Sequence, residues 1–195
     1  MSIRDEERGI LQEIQAQVTI LGGLVLVAWA IELVDIFVFR QRLNLFGIYP
    51  RTLIGLRGIV FAPFLHGGIY HLVANTVPFV TLGWLIMLRR TSDFLIVSLI
   101  SALVGGLGTW LFGRPSIHIG ASGVIFGFLG YLLTRGWFER KPLSIALSLF
   151  VAIVYGSMIG GVLPVNGWVS WEGHLFGFLG GVAAAWLMSD LRPKG

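Results

Sequence analysis

Long apolar stretches constrain this chain more than any other feature of its sequence. A helix that crosses the hydrocarbon core of a bilayer needs about 20 mostly apolar residues. Stretches of that kind, joined by shorter polar or charged connections, cover residues 18–39, 68–88, 94–112, 119–134, 142–162 and 173–188. The sequence therefore predicts an all-α membrane protein that folds as a bundle of six transmembrane helices.

The composition narrows the class of protein. Hydrophobic residues make up 55% of the 195 residues and charged residues only 12%, whereas soluble domains carry about 25% charged residues. These values exclude a disordered chain, a nucleic-acid-binding domain and an ordinary cytosolic enzyme. The 27 glycines and 7 tryptophans suit closely packed membrane helices with aromatic residues at the interface. The absence of cysteine excludes disulfide bonds, thiolate zinc sites and a cysteine nucleophile.

The distribution of positive charge predicts the orientation. Nine of the 14 Lys and Arg residues fall in the N-terminal segment, the second and fourth connections and the tail, and five fall on the other side. Because positive residues concentrate on the cytoplasmic side, both termini are expected in the cytoplasm. The predicted domains are a short cytoplasmic segment (1–17), the six-span domain (18–190) and a cytoplasmic tail (191–195). The lack of a transit-type leader or further domain favours a multi-pass protein of a prokaryotic plasma membrane.

Polar side chains inside a membrane are costly and by default indicate function. His71 and Asn75 lie one helical turn apart on the second span. Ser122 and His174 lie near the starts of the fourth and sixth spans. These three spans run in the same direction, so the four residues are expected on one side of the membrane at a similar depth. That is the arrangement that an active site needs.

Glycines at a spacing of four follow the serine and the histidine. The pair Gly123 and Gly127 begins directly after the serine, and the pair Gly177 and Gly181 begins three residues after the histidine. Such faces of small residues let two helix backbones approach closely. The approach is expected to bring the serine and the histidine within hydrogen-bond reach of each other.

Three segments together resemble the rhomboid family of intramembrane serine proteases. They read HGGIYHLVAN at 66–75, GASG at 120–123 and GHLFGFLGG at 173–181. The resemblance extends over nearly the whole chain from about residue 51 to residue 187. It implies a rhomboid-like bundle and a serine endopeptidase that cuts peptide bonds in or near the transmembrane segments of other membrane proteins.

The resemblance also implies roles for individual residues. Ser122 is similar to the family's nucleophile, and His174 is similar to its general base. His71 and Asn75, with the Ser122 N–H, resemble its oxyanion site. Five further positions resemble supporting ones: Gly120, Gly123, Phe126, Gly177 and His66.

Some of these supporting positions have a stated part in the family pattern. Gly120 belongs to the tight approach beside the oxyanion site, and His66 resembles a structural histidine of the first loop and second span. Phe126 stands where the family usually has Tyr, so the ring face that packs on His174 is kept and the hydroxyl is absent. The first loop reads Leu-Arg-Gly at 56–58 and lacks the family's Trp-Arg pair, which is expected to affect the stability of the loop.

The residues favour a Ser–His pair without a carboxylate. Glu172 lies two residues before His174 and therefore does not share its helix face. No cofactor or metal ion is expected, because the histidines have no metal-ligand spacing. The expected partners are transmembrane protein substrates and the lipid bilayer, without nucleic acid. Two alternatives stay open: a catalytically silent rhomboid-like protein that binds transmembrane clients, and a small transporter, which the lack of an internal repeat disfavours.

Three other ionisable residues receive structural interpretations. Glu32 and Asp35, near the end of the first span, are expected to face the outer interface or to pair with Arg40 or Arg42. His118 precedes Ser122 by one helical turn in the sequence, and it is expected to be an exposed loop residue or to form a hydrogen bond within the loop.

Overall fold

The computed structural model describes residues 3–165 and 169–190, and these ranges are helical apart from turns and short loops. The α-helices among the described residues are α1 (Ile3–Val34), α2 (Gly58–Phe61), α3 (Ile69–Met87), α4 (Thr91–Phe112), α5 (Ser122–Glu139), α6 (Pro142–Tyr155) and α7 (Trp171–Asp190). A π-helical turn, Asp35–Phe39, extends α1, and a 3-10 segment, Gly156–Val162, extends α6. The described ranges contain no β-strand, only one isolated antiparallel bridge between Ile48 and His118. The predicted all-α class is therefore confirmed.

Apolar helices long enough to cross a membrane occupy four of the six predicted spans in the described ranges. They are Glu7–Phe39, Ile69–Met87, Thr91–Phe112 and Pro142–Val162. The remaining two predicted spans coincide with α5, which is buried inside the bundle, and with α7, which packs on α4 and α5; both are rich in glycine. The chain therefore has the character of an integral membrane protein. The count of six spans and the side on which the termini lie stay predictions.

The first helix is longer than the predicted first span. It runs without a break from Ile3 to Val34 and therefore includes most of the predicted N-terminal segment, 1–17. The structure has no helix end at residue 17, where the predicted domain boundary lies. The predicted tail, 191–195, lies outside the described residues.

The fourth predicted span, 119–134, has the wrong limits. Gly120 has a φ of +112°, which is incompatible with a right-handed helix, so the helix begins only at Ser122. At its other end the helix continues to Glu139, and its last turn contains an i,i+4 ion pair in which Arg135 Nε and Glu139 Oε1 lie 3.1 Å apart. Residues 135–139, predicted as part of a charged turn, are therefore the last helical turn.

Helix α5 is the central element of the bundle. It contacts α3, α4, α6 and α7, and all its residues from Val124 to Leu132 are buried. Against α3 and α4 its Phe128 ring packs on Phe79 and Phe94, with centroids 5.6 and 5.3 Å apart. This burial on all sides explains why α5 does not have the uniformly apolar surface of a lipid-facing helix.

Glycines bring α5 and α7 into backbone contact. A Cβ on Gly177 would overlap the carbonyl oxygen of Gly123, and a Cβ on Gly181 would overlap the carbonyl oxygen of Gly127. Only residues without a side chain allow this approach. The two glycine pairs predicted from the sequence therefore face each other, and they fix the separation of the helix starts that carry Ser122 and His174.

Polar groups close the opposite end of the bundle. The Glu139 carboxylate forms ion pairs with Arg89 and Arg135. It also accepts a hydrogen bond of 2.5 Å from the Ser144 hydroxyl. These contacts join the ends of α3, α5 and α6 at the end distant from Ser122.

The expectation for Glu32 and Asp35 is wrong. Both side chains are buried, with 0% and 1% of their surface exposed, and neither forms an ion pair with Arg40 or Arg42. The chain turns back sharply after α1, and the Leu43 backbone N–H donates to Asp35 Oδ1 over 2.9 Å. One oxygen of each carboxyl group therefore accepts from backbone or amide groups in place of arginines, while Glu32 Oε2 and Asp35 Oδ2 are buried without a hydrogen-bond partner among the described residues.

We predict that Gly181→Val destabilises the bundle by at least about 1–3 kcal/mol, because its side chain must displace the Gly127 backbone. Gly22→Ala is the matched control, since a Cβ there meets nothing within 4 Å and alanine favours the helix by about 1 kcal/mol. Thermal unfolding in detergent micelles measures both. Equal melting temperatures for Gly181→Val and the wild type would contradict the packing described here.

Candidate active site

The first two turns of α3 present His71 and Asn75 on one face. The Gly67 backbone N–H donates to His71 Nδ1 over 3.2 Å. Because Nδ1 accepts this bond, the neutral ring carries its proton on Nε2. The Asn75 side-chain amide donates to the His71 carbonyl oxygen over 3.1 Å, which holds the amide against the same turn.

Gly120 brings the segment before α5 against these two side chains. A Cβ at this position would lie 2.8 Å from His71 Nε2 and 3.6 Å from Asn75 Nδ2. Its backbone N–H donates to the Ala62 carbonyl oxygen over 2.9 Å, and its positive φ turns the chain into α5. Two side-chain donors therefore meet the backbone immediately before Ser122.

Ser122 is the first residue of α5 and is half-buried. The first N–H groups of any α-helix have no intrahelical acceptor, so the start of α5 offers backbone donors beside the serine hydroxyl. Ser122 also lines a cavity together with Gly120 and Gly173. Ser122 and His174 are both described, and no direct hydrogen bond joins the hydroxyl to the ring.

The His174 ring is fixed by two contacts. It stacks on Phe126, with ring centroids 4.0 Å apart and planes inclined by 8°. Its Nδ1 lies 2.9 Å from the Gly161 carbonyl oxygen. A carbonyl oxygen only accepts, so Nδ1 carries the proton and Nε2 has a free lone pair. Phe126 lies one turn after Ser122 on α5, which places the ring of His174 over that helix.

His66 lies beside this site, outside the membrane-spanning helices. Its ring is buried and packs edge-on against His71, with centroids 5.1 Å apart. Burial, reinforced by the neighbouring His71, lowers the pKa of His66 from 6.5 to about 4. The ring is therefore neutral at physiological pH and acts as a packing element of the turn before α3.

Sequence reasoning missed a hydrogen bond between the loop before α5 and the start of α7. His118 is buried, and its Nε2 lies 3.1 Å from the Arg114 carbonyl oxygen, to which it donates. Its Nδ1 therefore accepts from the Ser170 hydroxyl, 2.6 Å away. Burial lowers the pKa of His118, which keeps the ring neutral. The two partners are 52 residues apart, so no local pattern signals the pair.

Glu172 strengthens the same connection. Its Oε1 accepts a hydrogen bond of 3.1 Å from the Arg114 backbone N–H, and it lies 3.2 Å from Arg114 Nε. The Glu172 carboxylate therefore binds the loop that precedes α5, and it forms no hydrogen bond with His174. This agrees with the expectation that Glu172 does not share the helix face of that histidine.

Comparisons with known proteins identify the family. Residues 55–191 match the family model described as Rhomboid domain. An uncharacterised protein of Mycobacterium tuberculosis is 45% identical over 189 residues, which cover 90% of this chain and 78% of that protein. An uncharacterised protein of Mycobacterium leprae is 43% identical over 186 residues, with coverages of 91% and 73%. RHOMBOID-like protein 6, mitochondrial, of Arabidopsis thaliana is 32% identical over 136 residues, with coverages of 67% and 43%. The resemblance inferred from the motifs is confirmed.

We predict that His66 makes the stability of the protein depend on pH. Its pKa is about 4 in the folded protein and about 6.5 in the unfolded chain. The stability is therefore complete above pH 6.5 and falls as the pH drops from 6.5 towards 4, by about 3 kcal/mol in all. Thermal unfolding at pH 7 and pH 5 should show a smaller loss for His66→Gln than for the wild type. An equal loss in both proteins would contradict this assignment.

Proposed function

Since the chain belongs to the rhomboid family, we propose that it is an intramembrane serine endopeptidase, which hydrolyses peptide bonds in or near transmembrane segments. One observation carries the proposal: the His174 ring is held between Phe126 and the Gly161 carbonyl oxygen, with the Nε2 lone pair free. A neutral imidazole with a free nitrogen, close to a serine at a helix start, is what general-base catalysis requires.

In the proposed reaction the Ser122 Oγ attacks the carbonyl carbon of the scissile bond, while His174 Nε2 takes the hydroxyl proton. That proton passes to the nitrogen of the leaving segment, which departs as an amine and leaves an ester on Ser122. Water then attacks the ester with His174 again as the base, and the serine hydroxyl is restored. Catalytic hydrogen bonds are often long in the absence of substrate, so the open Ser–His contact fits this scheme.

The proposed oxyanion site consists of His71, Asn75 and the backbone at the start of α5. The Nε2–H of His71 and the amide of Asn75 face Gly120, beside the helix turn that carries Ser122. Donors fixed in advance stabilise the negative oxygen of the tetrahedral intermediate, because they need no reorganisation during the reaction. The positive end of the α5 dipole supports the same charge.

The proposed substrates are other membrane proteins. A helical segment hides its carbonyl groups, so it must unwind locally before Ser122 can reach one. We expect substrates with small or helix-breaking residues near the cleavage point. Entry is proposed past α6 and the loop at 163–172, of which residues 166–168 lie outside the described residues. A prokaryotic plasma membrane with both termini in the cytoplasm is the proposed setting.

Ser122→Ala and His174→Ala should both abolish cleavage of a single-span substrate in liposomes, because one removes the nucleophile and the other removes the base. Ser116→Ala is the matched control, since it removes a hydroxyl from the loop before α5 without touching the proposed pair. Gel analysis of the fragments measures the cleavage. Labelling by a fluorophosphonate probe, which marks activated serines, should disappear in Ser122→Ala.

Three results would decide against this scheme. Cleavage that persists in Ser122→Ala would mean a different nucleophile. Binding of several substrates without cleavage by the wild type would favour the catalytically silent client-binding protein. Flux of a solute through liposomes without cleavage would favour a transporter.

His71→Ala and Asn75→Ala should each lower kcat by about 10²–10³-fold with little change in KM, because the donors act on charge that develops only in the transition state. Steady-state kinetics with a fluorogenic transmembrane substrate measures both constants. A rise in KM at unchanged kcat would show that these residues bind the substrate and do not stabilise the oxyanion.

A further inference from the structure

Glu32 is a buried carboxyl group that the proposed mechanism does not use. It lies on α1, ahead of residue 55, where the match to the family begins. Its side chain is fully buried, and it forms no ion pair with any described residue. An ionisable group in such a place is strongly unfavourable unless its hydrogen bonds compensate, and by default it indicates function.

Two hydrogen bonds connect Glu32 and His71 through the turn formed by Gly67 and Gly68. The Gly68 backbone N–H donates to Glu32 Oε1 over 2.8 Å. The adjacent Gly67 backbone N–H donates to His71 Nδ1 over 3.2 Å. Gly68 has a φ of +109°, a conformation that few other residues adopt. The carboxyl group therefore holds the turn that orients the histidine ring.

The first loop holds the carboxyl group from the other side. The Gln41 side-chain amide donates to Glu32 Oε1 over 3.1 Å. The Asn44 side chain in turn donates to Gln41 Oε1 over 2.6 Å. Oε1 of Glu32 thus accepts from both the first loop and the start of α3, whereas its Oε2 is buried without a hydrogen-bond partner among the described residues.

We infer that Glu32 is a positioning residue of the oxyanion site. It accepts the Gly68 N–H, which keeps the Gly67 N–H on His71 Nδ1 and the ring proton on Nε2, facing Gly120. The inference rests on the proposed function and adds a residue of α1 to the proposed oxyanion site. In this role Glu32 sets the direction in which the Nε2–H of His71 points.

Two substitutions of Glu32 test whether the position of its acceptor oxygen matters or the presence of a carboxyl group. Glu32→Gln keeps an oxygen acceptor at the same reach, so kcat should stay within about threefold of the wild type, a small part of the effect of losing a donor. Glu32→Asp keeps a carboxyl group but retracts it by about one C–C bond. It should lower kcat by about 10–10²-fold at unchanged KM, less than the loss of His71 itself.

Asp35→Asn is the matched control. Asp35 is an equally buried acid on the extension of α1, but it accepts from Leu43 and not from the turn before α3. The kcat of Asp35→Asn should equal that of the wild type. In the His71→Ala background, Glu32→Asp should cause no further loss, because Glu32 acts through that ring. A merely structural role would give an additive loss.

A second readout does not depend on activity. Nitrogen-15 NMR of ring-labelled histidine, with His71 assigned by its loss in His71→Ala, reports which ring nitrogen carries the proton. The wild type and Glu32→Gln should show the proton on Nε2 of His71. Glu32→Asp should show a mixture of both tautomers or exchange broadening.

The outcomes distinguish the two proposals. The inference is overturned if Glu32→Asp keeps the full kcat, if its loss adds to that of His71→Ala, or if it leaves the His71 spectrum unchanged. Cleavage by the wild type would still uphold the proposed function in each of these cases. Absence of Ser122-dependent cleavage in the wild type would overturn the proposed function. The NMR comparison then decides by itself whether Glu32 positions His71.

Discussion

The backbone contact between α5 and α7 is the constraint on which the rest of the structure depends. Gly123 and Gly127 lie directly against Gly177 and Gly181, and a Cβ on either glycine of α7 would overlap a carbonyl oxygen of α5. The contact sets the distance between the helix starts that carry Ser122 and His174. Helix α4 packs against both helices of this pair, and the stacking of Phe126 on His174 follows from the pairing.

Both histidines of the site are oriented by the main chain. The Gly161 carbonyl oxygen fixes the proton of His174 on Nδ1, and the Gly67 N–H fixes the proton of His71 on Nε2. No described carboxylate forms a hydrogen bond with either ring. The acidic side chains near the site hold backbone turns instead, as Glu172 does at Arg114.

The sequence predicts well what depends on local pattern. The helix positions follow from apolar stretches, because hydropathy reports directly on the medium around a helix. The facing glycines follow from their spacing, and the short motifs indicate the family. The start of α5 could not be predicted, because it depends on the positive φ of Gly120, which the apolar pattern does not report.

Contacts between distant segments were also beyond sequence reasoning. The partners of Glu32 and Asp35 are mainly backbone N–H groups, which every residue except proline has and which therefore leave no sequence signature. The hydrogen bond between His118 and Ser170 joins positions that only the fold brings together. The expectation that His118 forms a hydrogen bond within its loop is met through the Arg114 carbonyl, but exposure of that histidine is not observed.

The group that orients His174 is a peptide carbonyl, and this affects how the proposed catalytic residues can be identified by mutation. Systematic alanine scanning removes side chains only, so it would overlook the contribution of the carbonyl group at position 161. Substitution of Gly161 itself would mislead, because an added Cβ would lie 2.7 Å from the Phe126 ring and disturb the stack. Semisynthesis with a thioamide at that peptide bond would weaken the acceptor alone. A list of side chains alone therefore omits a backbone group on which the orientation of His174 depends.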